Sequence, residues 1–417
     1  MDKIRIVGGT PLSGEVTISG AKNSALPCIA ASLLTSEPVL LSNIPRRVRD
    51  VGTIVQLLEH LGMNASWDGN VLRLEANEIE KYEAPYDMVK TMRASVLVLG
   101  PLVARFGEAV VSLPGGCAIG ARPINMHLAG LEALGATIRI EHGYVQATTK
   151  QLIGARYRFP GVTVTGTENL ILAAALAKGT TILENCAIEP EIGDLIDLVK
   201  KMGAKISGEG TATITVEGND SLHGTEHSVI PDRIETGTFL MAGAITGGKI
   251  TAKNCNPAHL TAAIEQLREN GCKIECKPAE ITIEAPDVLK PVDVETQPYP
   301  QFPTDLQAQY MALMTQAEGV TNIHETIFEN RFMHVGELQR MRANIQINGA
   351  FAHVYGRTPL SGANVMATDL RASACLILAA LVAEGDTILQ RVYHIDRGYE
   401  RIEEKLRGLG AEVERIN

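Results

Sequence analysis

The chain has 417 residues, more than one hydrophobic core usually organises, and this length predicts two domains of roughly 200 residues each. A hydrophobic content of 45%, a charged content of 21% and a net charge of -10 are typical of a globular protein and argue against a general binder of nucleic acid or anionic membranes. The N-terminus lacks a signal-peptide pattern, and the longest apolar stretch, 374–383, is shorter than the ~20 residues of a membrane span, so we expect a cytoplasmic protein.

Amphipathic helices that end in a tight turn recur along the chain. In the first of them Ile54, Leu57, Leu58 and Leu61 share one face before the turn. The turns recur every 66 to 73 residues, and asparagine, which tolerates the left-handed backbone, stands in for glycine in one of them. The predicted turn residues are Gly62, Gly135, Gly203, Gly271, Asn344 and Gly410. We interpret this pattern as six repeats of one structural unit.

A β-hairpin is predicted after each of the first five turns. Its own turn is clearest at Asp68-Gly69, His142-Gly143 and Asn348-Gly349. After the sixth turn only one strand, within 411–417, can form, and residues 3–7 offer it a partner. Both termini are therefore expected in the second domain, which gives one domain of 22–231 and another of 1–21 plus 232–417.

A second kind of helix precedes each amphipathic one and is apolar on nearly all sides. Such a helix is expected to be buried all round. The six segments are 24–34, 96–104, 170–177, 239–245, 306–314 and 374–383. Three buried helices per half predict an α/β fold of two similar inside-out, barrel-like domains. In each domain three helix–helix–hairpin units would place helices inside and sheets outside, with a cleft between the domains.

Polar residues stand where these apolar helices begin. Lys22-Asn23 opens the first, Arg93 lies early in the second, Thr304-Asp305 opens the fifth and Asp369 to Arg371 the sixth. Helix N-termini attract phosphate and carboxylate groups. Each residue taken alone would more often be an N-cap or a solvated charge. The recurrence of basic residues at these positions favours a binding site for small anions.

The loop 113–123 stands apart because it combines three glycines, two prolines, Cys117 and Arg122. Glycines permit a loop to close over a ligand, and a nearby arginine can favour the thiolate of a cysteine. We therefore predict a chemical role for Cys117. The other six cysteines are interpreted as small buried hydrophobes, and no zinc site is expected from their spacing. They are Cys28, Cys186, Cys255, Cys272, Cys276 and Cys375.

Six motifs in order along the chain resemble the enolpyruvyl transferase family, and within it the UDP-N-acetylglucosamine 1-carboxyvinyltransferases. They are GAKNSA at 20–25, PGGCAIGARP at 114–123, FPTDLQAQ at 302–309, FENRFMH at 328–334, DLR at 369–371 and DRGYE at 396–400. The resemblance implies two inside-out α/β domains and transfer of enolpyruvyl from phosphoenolpyruvate to UDP-N-acetylglucosamine. It implies no metal and no cofactor, and it leaves the oligomeric state open, a homo-oligomer included.

The resemblance also implies roles for single residues. Asp305 would be the general base and Cys117 the general acid, with Lys22 and Arg397 also catalytic. Phosphoenolpyruvate would be held by Lys22, Asn23, Arg122, Arg331, Arg371 and Arg397. UDP-N-acetylglucosamine would be held by Asn23, Arg93, Arg122, Pro123, Ile124, Asn125, His127, Thr304, Asp305, Ile327 and Asp369. Many relatives carry aspartate where Asn125 stands, which puts its contact with the uracil in question.

Two alternatives stay open at this point. The sister enzyme, enolpyruvylshikimate phosphate synthase, shares the fold and the chemistry of phosphoenolpyruvate, but the Gly-Gly-Cys loop argues against it. A non-catalytic sensor of UDP-sugars could also keep the fold. The presence of every expected catalytic residue argues against that reading.

Overall fold

The computed structural model describes residues 2–90, 92–113 and 124–416. The described residues form two compact units, each with its own hydrophobic core. The N-unit comprises 20–113 and 124–230, and the C-unit comprises 2–19 and 231–416. Both ends of the described chain therefore belong to the C-unit.

The strands are short, and most of those in the hairpins alternate buried and more exposed side chains. In chain order they are β1 Lys3–Val7, β2 Ser13–Thr17, β3 Val39–Ser42, β4 Asn64–Asp68, β5 Val71–Glu75, β6 Glu83–Ala84, β7 Glu108–Ser112, β8 Thr137–Glu141, β9 Tyr144–Thr148, β10 Arg156–Arg158, β11 Thr180–Glu184, β12 Lys205–Ser207, β13 Thr213–Glu217, β14 Thr225–Ser228, β15 Lys249–Lys253, β16 Lys273–Lys277, β17 Glu280–Glu284, β18 Val294–Glu295, β19 Gly319–His324, β20 Asn344–Asn348, β21 Phe351–Gly356, β22 Asn364–Met366, β23 Asp386–Gln390 and β24 Glu412–Ile416.

These strands form separate four-stranded sheets, three in each unit, and all of them share one topology. In the N-unit the orders are β14-β3-β5-β4, β6-β7-β9-β8 and β10-β11-β13-β12. In the C-unit they are β2-β15-β17-β16, β18-β19-β21-β20 and β22-β23-β1-β24. The first pair in each order is parallel and the next two pairs are antiparallel. This uniform topology confirms the six repeats.

The helices are of two kinds, as predicted. In chain order they are α1 Lys22–Ala31, α2 Arg49–Leu61, α3 Tyr86–Val89, α4 Leu99–Phe106, α5 Asn125–Ala133, α6 Val164–Ala174, α7 Pro190–Lys201, α8 Arg233–Ile245, α9 Thr261–Glu269, α10 Thr304–Met314, α11 Val335–Arg340, α12 Leu370–Ala380 and α13 Ile402–Gly408. Short 3-10 helices span Ser32–Leu34, Arg93–Val98, Pro257–Leu260 and Val392–Arg397.

Helices α1, α4 and α6 in the N-unit, and α8, α10 and α12 in the C-unit, are buried on nearly all sides. Amphipathic helices such as α2 and α7 bury one face only. The α/β class is confirmed, with helices enclosed by open sheets.

The predicted turns are confirmed at every glycine, each of which has a left-handed backbone with φ between 93° and 108°. The prediction for Asn344 is wrong. Asn344 is the first residue of β20, and the left-handed residue of that repeat is Arg342, with a φ of 71°. Helix α11 already ends at Arg340, so the turn falls two residues earlier than the repeat spacing suggested.

The predicted hairpins and the pairing of the termini are confirmed. Strands β8 and β9 flank His142 and Gly143, which both have left-handed backbones, as a tight hairpin requires. Strand β1 is central in its sheet and pairs antiparallel with both β23 and β24. The first residues of the chain thus complete a sheet built otherwise from the last repeat.

Five of the six cysteines interpreted as small hydrophobes are buried, which confirms that interpretation for them. The interpretation is wrong for Cys276, which is exposed. It lies on β16, the edge strand of its sheet, where most side chains face solvent. No helix among the described residues combines the length and the hydrophobicity that crossing a membrane would require.

We predict that replacing Ile6 by alanine lowers the free energy of unfolding by about 2–4 kcal/mol, because a fully buried side chain of the central strand β1 would leave a cavity. The ion pairs of its neighbour Arg5 with Asp386 and Glu414 are partly exposed. Replacing Arg5 by alanine should therefore lower the free energy of unfolding by less than about 1 kcal/mol. Denaturant unfolding of the two variants checks this, and equal losses would contradict the central placement of β1.

Candidate active site

The C-unit brings three predicted site residues into direct contact at the beginning of α10. The carboxylate of Asp305 accepts a hydrogen bond from Arg331 Nη2 at 3.0 Å on one oxygen and from Arg371 Nη2 at 2.7 Å on the other. The side chains of Arg331 and Arg371 are 4% and 5% exposed, whereas that of Asp305 is 30% exposed. We call these three residues the carboxylate clamp. Charge-assisted bonds of this kind are among the strongest in proteins.

The position of each clamp residue follows from its helix or turn. Asp305 lies in the first turn of α10, where the helix dipole favours a negative charge. Arg371 is the second residue of α12. Burial disfavours the charge on Arg371, but the negative charges of Asp305 and Asp232 outweigh it and raise the pKa of the guanidinium. Arg371 therefore stays charged in a buried setting.

A buried hydrogen-bond network also holds Arg371 through Tyr399. Arg371 Nη1 donates to the hydroxyl of Tyr399 at 3.3 Å, and Gln309 Nε2 donates to the same hydroxyl at 3.2 Å. The hydroxyl of Thr238 donates its proton to the carbonyl oxygen of Ile234. In the 2.8 Å bond between Tyr399 and Thr238, Tyr399 is therefore the donor and Thr238 Oγ1 the acceptor. Burial raises the pKa of Tyr399, which keeps this proton in place. The clamp arginine is thus held in one orientation.

Thr304 and Ile327 are joined through a residue that the sequence did not single out. Glu325 Oε2 accepts from Thr304 Oγ1 at 2.9 Å, and Glu325 Oε1 accepts from the backbone N–H of Ile327 at 2.9 Å and of Phe328 at 3.2 Å. Glu325 is 4% exposed. It fixes the segment that leads to Arg331 against the start of α10.

The remaining predicted residues of the C-unit lie at two further helix ends. Asp369 caps α12, since its Oδ1 accepts from the N–H groups of Arg371 at 2.8 Å and Ala372 at 3.1 Å. Arg397 ends the helix Val392–Arg397. Burial and the charge of Arg397 lower the pKa of the neighbouring His394. The capping role foreseen as the alternative thus holds for Asp369, and its substrate contact stays a prediction.

In the N-unit, Lys22 and Asn23 begin α1 as predicted. Lys22 Nζ lies 3.6 Å from the carboxylate of Asp50 at the start of α2, with the two side chains 14% and 5% exposed. A cation at a helix N-terminus opposes the helix dipole, so Lys22 does not stabilise α1 through its charge. This placement is consistent with a functional lysine.

Arg93 and His127 influence each other electrostatically in the same unit. Burial and the charge of Arg93 lower the pKa of His127 to about 3. Asn169 Nδ2 donates to His127 Nδ1 at 3.0 Å, so the neutral ring carries its proton on Nε2, 3.3 Å from Thr165 Oγ1. Ile124, which is buried, precedes α5, and Asn125, which is exposed, begins it. Their contacts with a nucleotide sugar stay predictions.

Cys117, Arg122 and Pro123 lie outside the described residues. The structure therefore describes a cluster of Thr304, Asp305, Arg331 and Arg371 in the C-unit, and the pairs Lys22 with Asp50 and Arg93 with His127 in the N-unit.

Comparisons with known proteins decide the family. Residues 6–406 match the family model of EPSP synthase (3-phosphoshikimate 1-carboxyvinyltransferase). The UDP-N-acetylglucosamine 1-carboxyvinyltransferase of Koribacter versatilis (strain Ellin345) is 59% identical over 100% of this chain and 97% of its own. That of Solibacter usitatus (strain Ellin6076) is 57% identical over 100% of both chains. This chain belongs to the enolpyruvyl transferase family.

A solved structure agrees with this assignment. The enolpyruvyl transferase NikO from Streptomyces tendae superposes with a TM-score of 0.89 at 28% identity, over 100% of this chain and 99% of that one. The predicted family is confirmed, and with it the prediction that this protein is an enzyme. Tyr399 and Gln309 lay inside quoted motifs but were given no role. Glu325 carried no sequence signal, because it does not stand out from other polar residues in a loop.

One further cluster in this enolpyruvyl transferase has the residue types of a metal site. Cys28, Asp194 and His227 are buried, with ligand atoms within 4.8 Å of one another. However, Lys201 Nζ, which has only protons to offer, lies 3.1 Å from His227 Nδ1. The ring proton must then sit on Nε2, 2.8 Å from Asp194 Oδ1, and this nitrogen has no lone pair for a metal. We interpret the cluster as a hydrogen-bond chain.

This chain of bonds fixes the beginning of α1. Asp194, on α7, also accepts a short hydrogen bond from the hydroxyl of Ser24, two residues after Lys22, and a bond from the backbone N–H of Ile230 at 3.3 Å. It thereby links α1, α7 and β14.

Replacing Asp194 by alanine should lower the free energy of unfolding by about 2–4 kcal/mol, because the buried donors of Ser24 and His227 would lose their acceptor. Asp197, exposed on the same helix, is the matched control, and its replacement by alanine should change stability by less than about 0.5 kcal/mol. A chelator should leave the thermal midpoint of the wild type unchanged. A drop on chelation would contradict the hydrogen-bond interpretation.

Proposed function

We propose that this enzyme transfers the enolpyruvyl group of phosphoenolpyruvate to the 3′-hydroxyl of UDP-N-acetylglucosamine and releases phosphate, the first committed step of peptidoglycan synthesis. The observation that carries the proposal is the full-length identity of 57–59% with relatives that bear this name. The carboxylate clamp supports it, because it combines a partly exposed carboxylate with two buried guanidiniums suited to an anionic substrate.

The reaction needs a base at the hydroxyl and an acid at the methylene of phosphoenolpyruvate. In the proposed mechanism the 3′-oxygen bonds to C2 while its proton passes to Asp305, and Cys117 delivers a proton to C3. Phosphate then leaves C2 as C3 gives up a proton, which restores the double bond. Asp305 is suited to the first step because it stands at the entrance of α10 with 30% of its side chain exposed.

Different charged side chains are proposed to bind the phosphate and the carboxylate of phosphoenolpyruvate. We propose that Lys22, Arg122 and Arg397 hold the phosphate and that Arg331 and Arg371 hold the carboxylate, with Asn23 beside Lys22. Fixed cations of this kind stabilise charge that develops in a transition state. The nucleotide sugar would contact Arg93, Pro123, Ile124, Asn125, His127, Thr304, Ile327 and Asp369, together with Asn23, Arg122 and Asp305.

We propose further that the two units act as the two domains of the enzyme, with boundaries at 22–231 and at 1–21 plus 232–417, and that the enzyme works in the cytoplasm. The sister reaction with shikimate phosphate is the main rival. The full-length relatives at 57–59% identity favour the nucleotide sugar as acceptor. A silent sensor would bind the nucleotide sugar without releasing phosphate.

Phosphate release from phosphoenolpyruvate should depend on UDP-N-acetylglucosamine. Asp305→Ala should lower the rate by about 100-fold or more, the contribution typical of a general base, and Cys117→Ser should also be impaired. A coupled phosphate assay with and without the sugar measures this. If phosphate is released with shikimate phosphate but not with UDP-N-acetylglucosamine, the proposed acceptor is wrong. If no phosphate is released with either acceptor, the proposed activity is wrong.

Fosfomycin, an anionic epoxide, should alkylate Cys117 and inactivate the enzyme, since a reactive thiol in an anion site is the target such an alkylator requires. Cys276 is the internal control, because it is exposed yet has no proposed anion site beside it. Peptide mass spectrometry should find the adduct on Cys117 and not on Cys276. Equal labelling of both would show that the thiol of Cys117 has no special reactivity.

A further inference from the structure

The carboxylate clamp contains a conflict between two proposed roles. Arg331 and Arg371 are assigned to the substrate carboxylate, yet each already donates Nη2 to Asp305, at 3.0 Å and 2.7 Å. Asp305 is assigned as the base, yet both of its oxygens accept from a guanidinium. A carboxylate bonded in this way is a poor proton acceptor, because its charge is already stabilised.

The three members of the clamp are not equally fixed. Arg371 has a second contact with Tyr399 at 3.3 Å, and Arg331 has one with the carbonyl of Thr304 at 3.4 Å and lies 5.3 Å from the ring centre of Phe328. Both guanidiniums are almost fully buried, whereas Asp305 is the exposed member of the three. The buried arginines therefore form the receptor, and we take Asp305, the most exposed of the three, as the member that exchanges with a ligand.

The formal charges leave the receptor able to take another anion. Two guanidiniums face the single carboxylate of Asp305, so the three side chains of the clamp carry one formal positive charge, and Asp232 adds a more distant negative charge to the field at Arg371. A ligand carboxylate presents two oxygens and one negative charge, as Asp305 does. It can therefore replace Asp305 on both Nη2 atoms without leaving a buried cation unpaired.

We propose that Asp305 is a placeholder for the substrate carboxylate, so that the base is released only when that carboxylate occupies Arg331 and Arg371. The inference rests on the proposed function and deepens it. It makes Asp305 a competitor of phosphoenolpyruvate for the clamp, and it couples deprotonation of the sugar hydroxyl to the presence of the second substrate. In the absence of phosphoenolpyruvate, both oxygens of Asp305 stay bonded to Arg331 and Arg371, so the base is not available to the sugar hydroxyl.

The test uses two ligands that cannot transfer an enolpyruvyl group. 2-Phospholactate carries both a carboxylate and a phosphate, and ethyl phosphate carries the phosphate alone. Their dissociation constants are measured by calorimetry, without any sugar, for the wild type, Asp305→Asn, Asp305→Ala and Glu325→Gln. Glu325→Gln is the matched control, because it removes a neighbouring buried carboxylate that accepts hydrogen bonds from Thr304 and two backbone N–H groups and not from the clamp arginines.

Both Asp305 variants should bind 2-phospholactate at least about tenfold more tightly than the wild type, because the ligand no longer has to displace a charge-assisted partner. The dissociation constant of ethyl phosphate should change by less than about threefold in the same variants. Glu325→Gln should not bind 2-phospholactate more tightly than the wild type does. Unchanged or weaker binding of 2-phospholactate in both Asp305 variants would overturn the placeholder role. So would an equal gain for both ligands, which would reflect the lost charge alone. Using two substitutions keeps the test valid where one variant folds poorly.

The phosphate-release assay separates this inference from the proposed function. Sugar-dependent phosphate release with no gain in 2-phospholactate binding would leave the function and overturn the placeholder. A gain in binding without phosphate release from any acceptor would keep the placeholder and overturn the function.

Discussion

Helices that are apolar on every side must be covered on every side, and the rest of this structure depends on that constraint. Each unit meets it by enclosing three such helices within three open sheets. Inside the C-unit this packing brings the beginnings of the buried helices together. Asp305 at the start of α10 bonds Arg371 at the start of α12, and Asp232, which caps α8, contributes to the field at Arg371. The packing of the apolar helix bodies therefore determines where the polar residues at the helix N-termini lie.

The six repeats share a topology, but the residue that follows the second strand of each sheet order is an asparagine in three repeats and another residue type in the other three. After β3, β11 and β15 stand Asn43, Asn185 and Asn254, each with a left-handed backbone. Each donates from its side chain to a carbonyl just beyond the parallel edge strand of its sheet, at 2.7 to 3.0 Å. This bond closes the strand end.

The other three repeats lack that asparagine. After β7 comes Leu113, which leads to the loop of Cys117, and after β19 comes Glu325, which binds Thr304 and leads to Arg331. After β23 comes Arg391, which leads to Arg397. The chain thus keeps the strand-closing bond where only the fold needs it. It releases that position where a loop with candidate site residues must follow.

The sequence by itself determined the periodic features of this protein. Helix periodicity, the apolar helices, the hairpin turns and the pairing of the termini could all be predicted, because each depends on neighbours within a few residues or on a missing strand partner. Six motifs also predicted the family. Local rules failed where a shift of two residues mattered, at Arg342 instead of Asn344, and where strand position decided burial, at Cys276.

Only the tertiary structure decided which polar residues meet. Arg331 and Arg371 lie 26 and 66 residues from Asp305, and no local pattern shows that both would bond one carboxylate. The support of Arg371 by Tyr399 and the link of Thr304 to Glu325 are likewise contacts between separate segments. Side-chain patterns fix which helices are buried, but the contacts of their polar ends depend on how those helices pack in three dimensions.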